Sequence, residues 1–437
     1  EDADAASGIA EGPRAIVVGL VSNFPELPFE VDIPSKAFRG DQYILKTTDQ
    51  GLFVLGTTPA AVQCAVWNFL HRQGYRLFFL TDTWEIVPHR AELTVAIDVI
   101  EQPDYITRQA PRGSPWSDRA LWTRWHKRNR MNSSFALSTG HAYGGIVRKN
   151  QQAFDEHPEY FALVNGNRPS GANAKFCVSN AGLRQLVVDD AVRVMKAETD
   201  LDSISVDPSD GGGWCECEAC RSMGSVSDRA LTLANDVAAA INELKLGEKY
   251  VGMYAYNDHS PPPNIQAHPN VVISVATSFI RGGYSVEELV SGWQAQDAVL
   301  GIRDYHDVFA WSHDLPRSAR GGNIEYLTRT IPWFHEHGAR YMNSENMDSW
   351  GANGLGYWLT SQLLWDVDNA GRVDLLIEDF LDKAFGEAKE PMRTFYQLVN
   401  RDHDSVRSHE DVVARMYRAL DQACGLTNDP GTRARLD

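Results

Sequence analysis

The sequence predicts an α/β protein: a (β/α)8 TIM-type barrel, preceded by a small α/β domain and followed by C-terminal helices. Three observations carry that expectation. Short apolar, β-branched runs alternate with helical patterns about eight times between residues 106 and 342. Polar and acidic residues follow several of these runs directly, at the edge where a barrel keeps its reactive groups. At 437 residues the chain exceeds one ordinary compact domain. A doubly wound sheet would show the same alternation.

Residues 1–100 read as the small α/β domain. YILKTTDQGLFVLG (Tyr43–Gly56) is two strand-like runs joined by a polar turn containing Asp49 and Gly51. Thr58–Tyr75 reads as a helix: Thr58 caps it, Pro59 suits its first turn and Gly74 stops it. Arg76–Leu80 and Trp84–Ile97 continue as extended segments. EQPDY (Glu101–Tyr105) marks a boundary, and the barrel is expected over 104–372. Its strands are expected at Ile106–Gln109, Ser134–Leu137, Ala174–Val178, Ser203–Val206, Val251–Ala255, Val271–Val275, Val308–Trp311 and Ala339–Met342. Helices are expected at Ala181–Glu198, Asp228–Leu246, Ser285–Val299 and Ile324–His337. Residues 373–437 read as a helical segment that completes the barrel or appends to it.

Composition excludes several functions. The net charge is −17 with no basic stripe, so nucleic acid is not an expected partner. No apolar run reaches the ~20 residues of a membrane span. The chain opens on EDADAASGIAEGP, neither a signal peptide nor an initiator methionine, so export has to rest on other grounds. There is no G-x-x-x-x-G-K-[ST], H-E-x-x-H, dinucleotide fingerprint or G-x-S-x-G elbow.

The residues after the expected strands point to carbohydrate chemistry. Arg112 follows the first, His141 the second, Asp207 and Asp210 the fourth, and Tyr256, Asn257, Asp258 and His259 the fifth. Trp311 closes the seventh; Glu345, Asp348 and Trp350 follow the eighth. Two carboxylates flanking one bond are the glycoside-hydrolase arrangement, and Asp210 and Glu345 are the preferred pair. Three glycines after Asp210 let backbone approach a ligand closely. Asp258 is the substitute, since a second carboxylate can orient a substrate's acetamido group. Asp207, ahead of Pro208, reads as a turn former. Arg112, His141, Tyr256, Asn257, His259, Trp311, Asp348 and Trp350 are the candidate substrate-binding residues. The twelve Trp and fifteen Tyr read either as core filling or as sugar-stacking surfaces.

Cys177, Cys215, Cys217 and Cys220 fall within one stretch, whereas Cys64 and Cys424 are isolated. The four read as a structural clip, either tetrathiolate zinc or two disulfides, with unpaired buried thiols as the alternative. A thioredoxin-like role fits the spacing less well. No cofactor is expected for catalysis.

HPEYFALVNGNRP (157–169), FCVSNAGLRQLVVDDA (176–191), SVDPSDGGGWCECEAC (205–220) and NSENMDSWGANGLGYWLTSQLLWD (343–366) together resemble the domain of unknown function 4838 proteins, some of which are classed as glycoside hydrolase family 163. Residues 51–88, with GYRLFF and WEIVP, resemble the small domain that precedes the barrel in hexosaminidases and α-glucuronidases. The resemblance implies a (β/α)8 barrel and an endo-β-N-acetylglucosaminidase acting on the N-glycan core. It implies a retaining mechanism in which the substrate's acetamido group is the nucleophile. It further implies a glycan or glycoprotein substrate and an exported bacterial protein. An exo-glycosidase or α-glucuronidase-like enzyme, a non-catalytic glycan-binding protein and a zinc-dependent protein are the rivals.

Overall fold

The computed structural model describes residues 15–31, 40–89, 95–111, 117–171, 173–308, 319–400 and 409–437. Among the described residues twelve strands follow in chain order: β1 (Ala15–Leu20), β2 (Tyr43–Thr48), β3 (Gly51–Gly56), β4 (Arg76–Leu77), β5 (Glu85–Ile86), β6 (Asp98–Glu101), β7 (Thr107–Gln109), β8 (Ser203–Ser205), β9 (Tyr250–Asn257), β10 (Val271–Ile280), β11 (Val299–Tyr305) and β12 (Tyr341–Glu345). The chain divides into two compact units. One comprises Glu1–Phe135, Tyr305–His335 and Asn343–Asp437, and the other Ala136–Asp304 and Glu336–Met342.

In the first unit a four-stranded sheet has the order β1-β3-β2-β6. β2 and β3 form the antiparallel hairpin that the sequence predicts. The period-2 alternation sorts its side chains onto two faces. Tyr43, Leu45, Leu52 and Val54 pack on Cys64, Ala65, Phe69 and Trp365, while Val17, Ile44, Phe53 and Leu55 form the opposite core. The expected helix is present at Pro59–Arg72, with the Thr58 hydroxyl accepting from the Ala61 amide at 3.0 Å. Helix Trp350–Trp365 is buried from Asn353 to Trp365. Helices lie at Val373–Phe385, Lys389–Val399, His409–Leu426 and Pro430–Leu436.

The large sheet has the order β7-β12-β11-β10-β9-β8. Within the second unit β8, β9, β10 and β11 are successive parallel neighbours. The near-continuous buried runs of β9 and β10 are those of a parallel sheet covered on both faces. Helix Ala181–Ala197 lies against helix Val226–Glu243, whose start is fixed by a reciprocal Ser225–Asp228 capping box.

Among the described residues six strands, not eight, form this sheet. The expected strand at Ser134–Leu137 has no strand structure. Instead, residues 136–141 run beside β8 on side-chain links. The Ser203 hydroxyl donates to the Ala136 carbonyl at 2.7 Å and accepts from the Ser138 amide at 2.6 Å. The Ser205 hydroxyl donates to the Gly140 carbonyl at 2.7 Å, and Asp202 Oδ2 accepts from the Ala136 amide at 2.9 Å. The Ser138 carbonyl lies so close to Gly252 of β9 that a Cβ there would stand 2.1 Å from it. The expected strand at Ala174–Val178 contributes one isolated pairing, Phe161 with Phe176. The helix expected through Val299 ends at Gln294, and Val299–Tyr305 is β11, a strand the alternation concealed behind Arg303 and Asp304. Most of the strand expected at Val308–Trp311 lies outside the described residues.

Candidate active site

β8 and β9 are parallel, so their carboxyl ends share one edge of the second unit. The loop after β8 carries Asp207 and Asp210; β9 ends in Tyr256 and Asn257, followed by Asp258 and His259. The 136–141 segment delivers His141 through a parallel bridge to Asp207.

Asp207 corrects its reading as a turn former. Its side chain is fully buried, and Oδ1 accepts from the Tyr254 amide at 2.8 Å. Two imidazoles flank it: His141 Nδ1 is 3.3 Å from Oδ2 and His259 Nε2 is 3.8 Å from Oδ1. Burial favours the protonated acid, but contacts from His141, His259 and the Tyr254 amide outweigh it and hold the carboxyl below its ordinary range. The same contact raises the proton affinity of His141 against a smaller opposing effect of burial. His141 Nδ1 also meets the Pro208 carbonyl at 2.7 Å. The edge of the His259 ring faces Trp214 at 5.5 Å.

Asp210 stands at the exposed rim. Its Oδ1 accepts from the Gly211 amide at 2.7 Å and the Tyr256 hydroxyl at 3.0 Å. Partial burial would raise its pKa, yet these two donors, with the charges of His141 and Lys175, bring it below the usual carboxylate value. Gly211 and Gly213 adopt φ of 71° and 85°, the left-handed conformation this turn demands. Asp258 faces the same glycines: a Cβ at Gly212 would lie 3.6 Å from Asp258 Oδ2. Arg281 approaches Asp258 at 4.0 Å and donates to Asn257 Oδ1 at 3.0 Å. Asp210 and Asp258 therefore flank one glycine turn.

Three contributors escaped the sequence reading. One is Asp207 in its buried role. The second is Lys175, which is buried and donates to the carbonyls of Ser209 and, at 2.9 Å, Asp210. Burial lowers its pKa to about 8 against the pull of Asp210, Asp207 and Asp258. The third is Phe279, half-exposed at φ 58°, with its ring 5.5 Å from Tyr256. Tyr256 in turn lies 5.9 Å from His141. The result is an aromatic shelf beside an acidic turn.

Behind this loop lies the cysteine clip. The Sγ atoms of Cys177, Cys215, Cys217 and Cys220 lie within 4.8 Å of one another, and all four cysteines are free of disulfides.

The other predicted residues fall in the first unit or outside the described residues. Glu345 ends β12, and its carbonyl accepts from the His306 amide at 2.9 Å. Asp348 accepts from the Ser117 hydroxyl at 2.7 Å and Trp122 Nε1 at 2.9 Å. Trp350 packs among Trp122, Trp125, Tyr357 and Phe79, with ring centroids 5.0–5.7 Å apart. Trp122 and Trp125 are core residues, as the core-filling reading expects. Arg112 and Trp311 lie outside the described residues. No helix among the described residues is long and apolar enough to cross a membrane.

Among solved structures the chain is similar to a family GH115 4-O-methyl-α-glucuronidase with specificity for decorated arabinogalactans (TM-score 0.58, 11% identity, covering 96% of this chain and 64% of that one). It is also similar to a family 89 glycoside hydrolase from Clostridium perfringens. A doubly substituted form of that enzyme with its substrate GlcNAc-α-1,4-galactose gives a TM-score of 0.59 at 10% identity, covering 96% of this chain and 57% of that one. The complex with PUGNAc gives 0.57 at 10% identity with the same coverage. These are likenesses of fold, and the chain spans 57–64% of the length of those structures. No curated protein matches. The model of the domain of unknown function DUF4838 matches residues 79–397, and the chain belongs to the DUF4838 family.

Proposed function

We propose that this chain is a glycoside hydrolase whose reaction centre includes the acidic turn at the end of β8. The observation that carries the reading is the meeting of Asp210 and Asp258 on one glycine turn beside the Tyr256–Phe279 shelf. Backbone without side chains gives a sugar close access, and aromatic faces match the apolar faces of a pyranose.

The substrate class of this reading is a β-linked N-acetylglucosamine-containing glycan, cut within the N-glycan core. The substrate's acetamido oxygen attacks the anomeric carbon, the glycosidic bond breaks, and a proton passes to the leaving oxygen. Asp210, held ionised by its two donors, is poorly suited to give that proton and well suited to support the positive charge that develops. Asp258 is the alternative partner for the acetamido group. Glu345, which ends β12, is the sequence candidate for the proton donor. His141, Asn257 and His259 are the neighbouring hydrogen-bonding groups.

A second reading is an exo-acting enzyme for acidic sugars. The part-exposed His141 ring beside Tyr256 favours it, since an imidazole N–H can donate to a uronate carboxylate. Turnover of a complex N-glycan, set beside a panel of simple aryl glycosides and glucuronides, separates the two. Asp210→Asn and Glu345→Gln should each reduce turnover by at least about a hundredfold. Undiminished activity in both variants would remove the assignment, and glycan binding without hydrolysis would mark a binding protein.

A further inference from the structure

We propose that Cys177, Cys215, Cys217 and Cys220 hold one zinc ion, and that this tetrathiolate site ties the loop bearing Asp210 to the segment bearing Lys175. The proposal is independent of the glycosidase reading.

Geometry decides between metal and disulfide. Cys177 Sγ lies 3.7 Å from Cys217 Sγ and 3.8 Å from Cys220 Sγ. Zinc–sulfur bonds of about 2.3 Å directed to the corners of a tetrahedron place the sulfurs about 3.8 Å apart. A disulfide requires about 2.05 Å. All four sulfurs also lie within 4.8 Å of one another, whereas two disulfides need only pairwise approach.

The surroundings are those of thiolates bound to a cation. Backbone amides are directed at three sulfurs: Leu163 at Cys215 Sγ (3.3 Å), Ser179 at Cys220 Sγ (3.4 Å) and Cys220 at Cys217 Sγ (3.4 Å). Such donors offset the two net negative charges of a zinc tetrathiolate. Buried Arg229 adds a guanidinium on the Cys215 carbonyl at 2.8 Å. Soft sulfur donors in a closed tetrahedral set select zinc over magnesium or calcium, and with no open position the site is structural.

Its place in the chain explains its use. Cys177 lies two residues after Lys175, whose ammonium holds the Ser209 and Asp210 carbonyls. Cys215 directly follows Trp214, whose ring lies 5.6 Å from that ammonium. A metal here fixes both ends of the contact that supports the acidic turn.

The test uses the whole chain, reduced, stripped with chelator and titrated with Co(II) and then Zn(II). One tight equivalent is expected per chain, with thiolate-to-cobalt charge transfer and the intense visible bands of a tetrahedral site. Zinc should bleach these bands and protect four thiols from a thiol reagent. Cys217→Ser and Cys220→Ser should weaken or shift them, and Cys424→Ser should not. The proposal is overturned by the lack of a tight equivalent, by protection of two thiols or fewer, or by an unreduced chain four hydrogens lighter than its formula. Unchanged cobalt bands in both ligand variants would overturn it equally. Should those variants fail to fold, the cobalt spectrum and thiol count of the unaltered chain decide.

Discussion

Replacing Asp207 by Asn removes one negative charge from a fully buried position while keeping its shape. The Tyr254 amide keeps an acceptor, so the 2.8 Å backbone link survives. What is lost is the charge facing His141 at 3.3 Å and His259 at 3.8 Å. Orphaning one partner of a buried ion pair costs about 3–5 kcal/mol, but 40% of the His141 side chain is exposed, and water screens part of that loss. A loss of about 2–3 kcal/mol follows, which for a cooperative unit of this size lowers Tm by about 4–12 °C. The effect depends on pH in a defined sense. His141 has a raised folded pKa, so its contribution is complete below about pH 6.5 and disappears as pH climbs through the folded value. Asp207 has a lowered one, so its contribution is complete above about pH 4 and disappears as pH falls through the folded value. The gap between the parent chain and Asp207→Asn should therefore be widest between about pH 4 and 6.5 and narrow towards alkaline pH. Thermal unfolding followed by circular dichroism inside that window and again at alkaline pH, above the folded pKa of His141, measures it. An equal deficit at the two pH values, or melting unchanged inside the window, would refute the pairing.

Two further outcomes follow from single contacts. Tyr256→Phe deletes the hydroxyl that holds Asp210 ionised, so kcat/KM should fall about tenfold and the acid limb of the pH–rate profile should move upward; an unmoved limb would detach Tyr256 from Asp210. Gly252→Ala sets a methyl group 2.1 Å from the Ser138 carbonyl and should destabilise the second unit by about 2–3 kcal/mol in denaturant titration, whereas a neutral result would show that residues 136–141 do not lie on β9.

Much of the fold was legible in the sequence because its signals are local. The β2–β3 hairpin, the Pro59–Arg72 helix with its Thr58 cap, and the Val226–Glu243 helix follow from alternation, caps and breakers. β11 was missed because the alternation rule cannot recognise a strand that places Asp304, paired with Thr277, inside the protein. The expected strand near Ser134 failed for the opposite reason: a strand-like sequence whose neighbour offers hydroxyls rather than a ladder. Asp210 and Asp258 could be singled out as candidates because acids after a parallel strand carry a positional meaning. Lys175 was not, because lysine ordinarily marks solvent and only the folded loop reveals carbonyls that need a buried donor. Phe279 was hidden by its backbone, since a bulky residue at positive φ has no sequence signature.

The attachment of residues 136–141 to β8 through Ser203, Ser205 and Asp202 has a dynamic consequence. Ladder bonds between amides rupture together, but hydroxyl tethers exchange for water one at a time at small cost. This margin should therefore open more readily than the neighbouring ladders, up to His141, where a backbone bridge to Asp207 holds it again. Amide protons there should exchange ahead of those in the neighbouring strands.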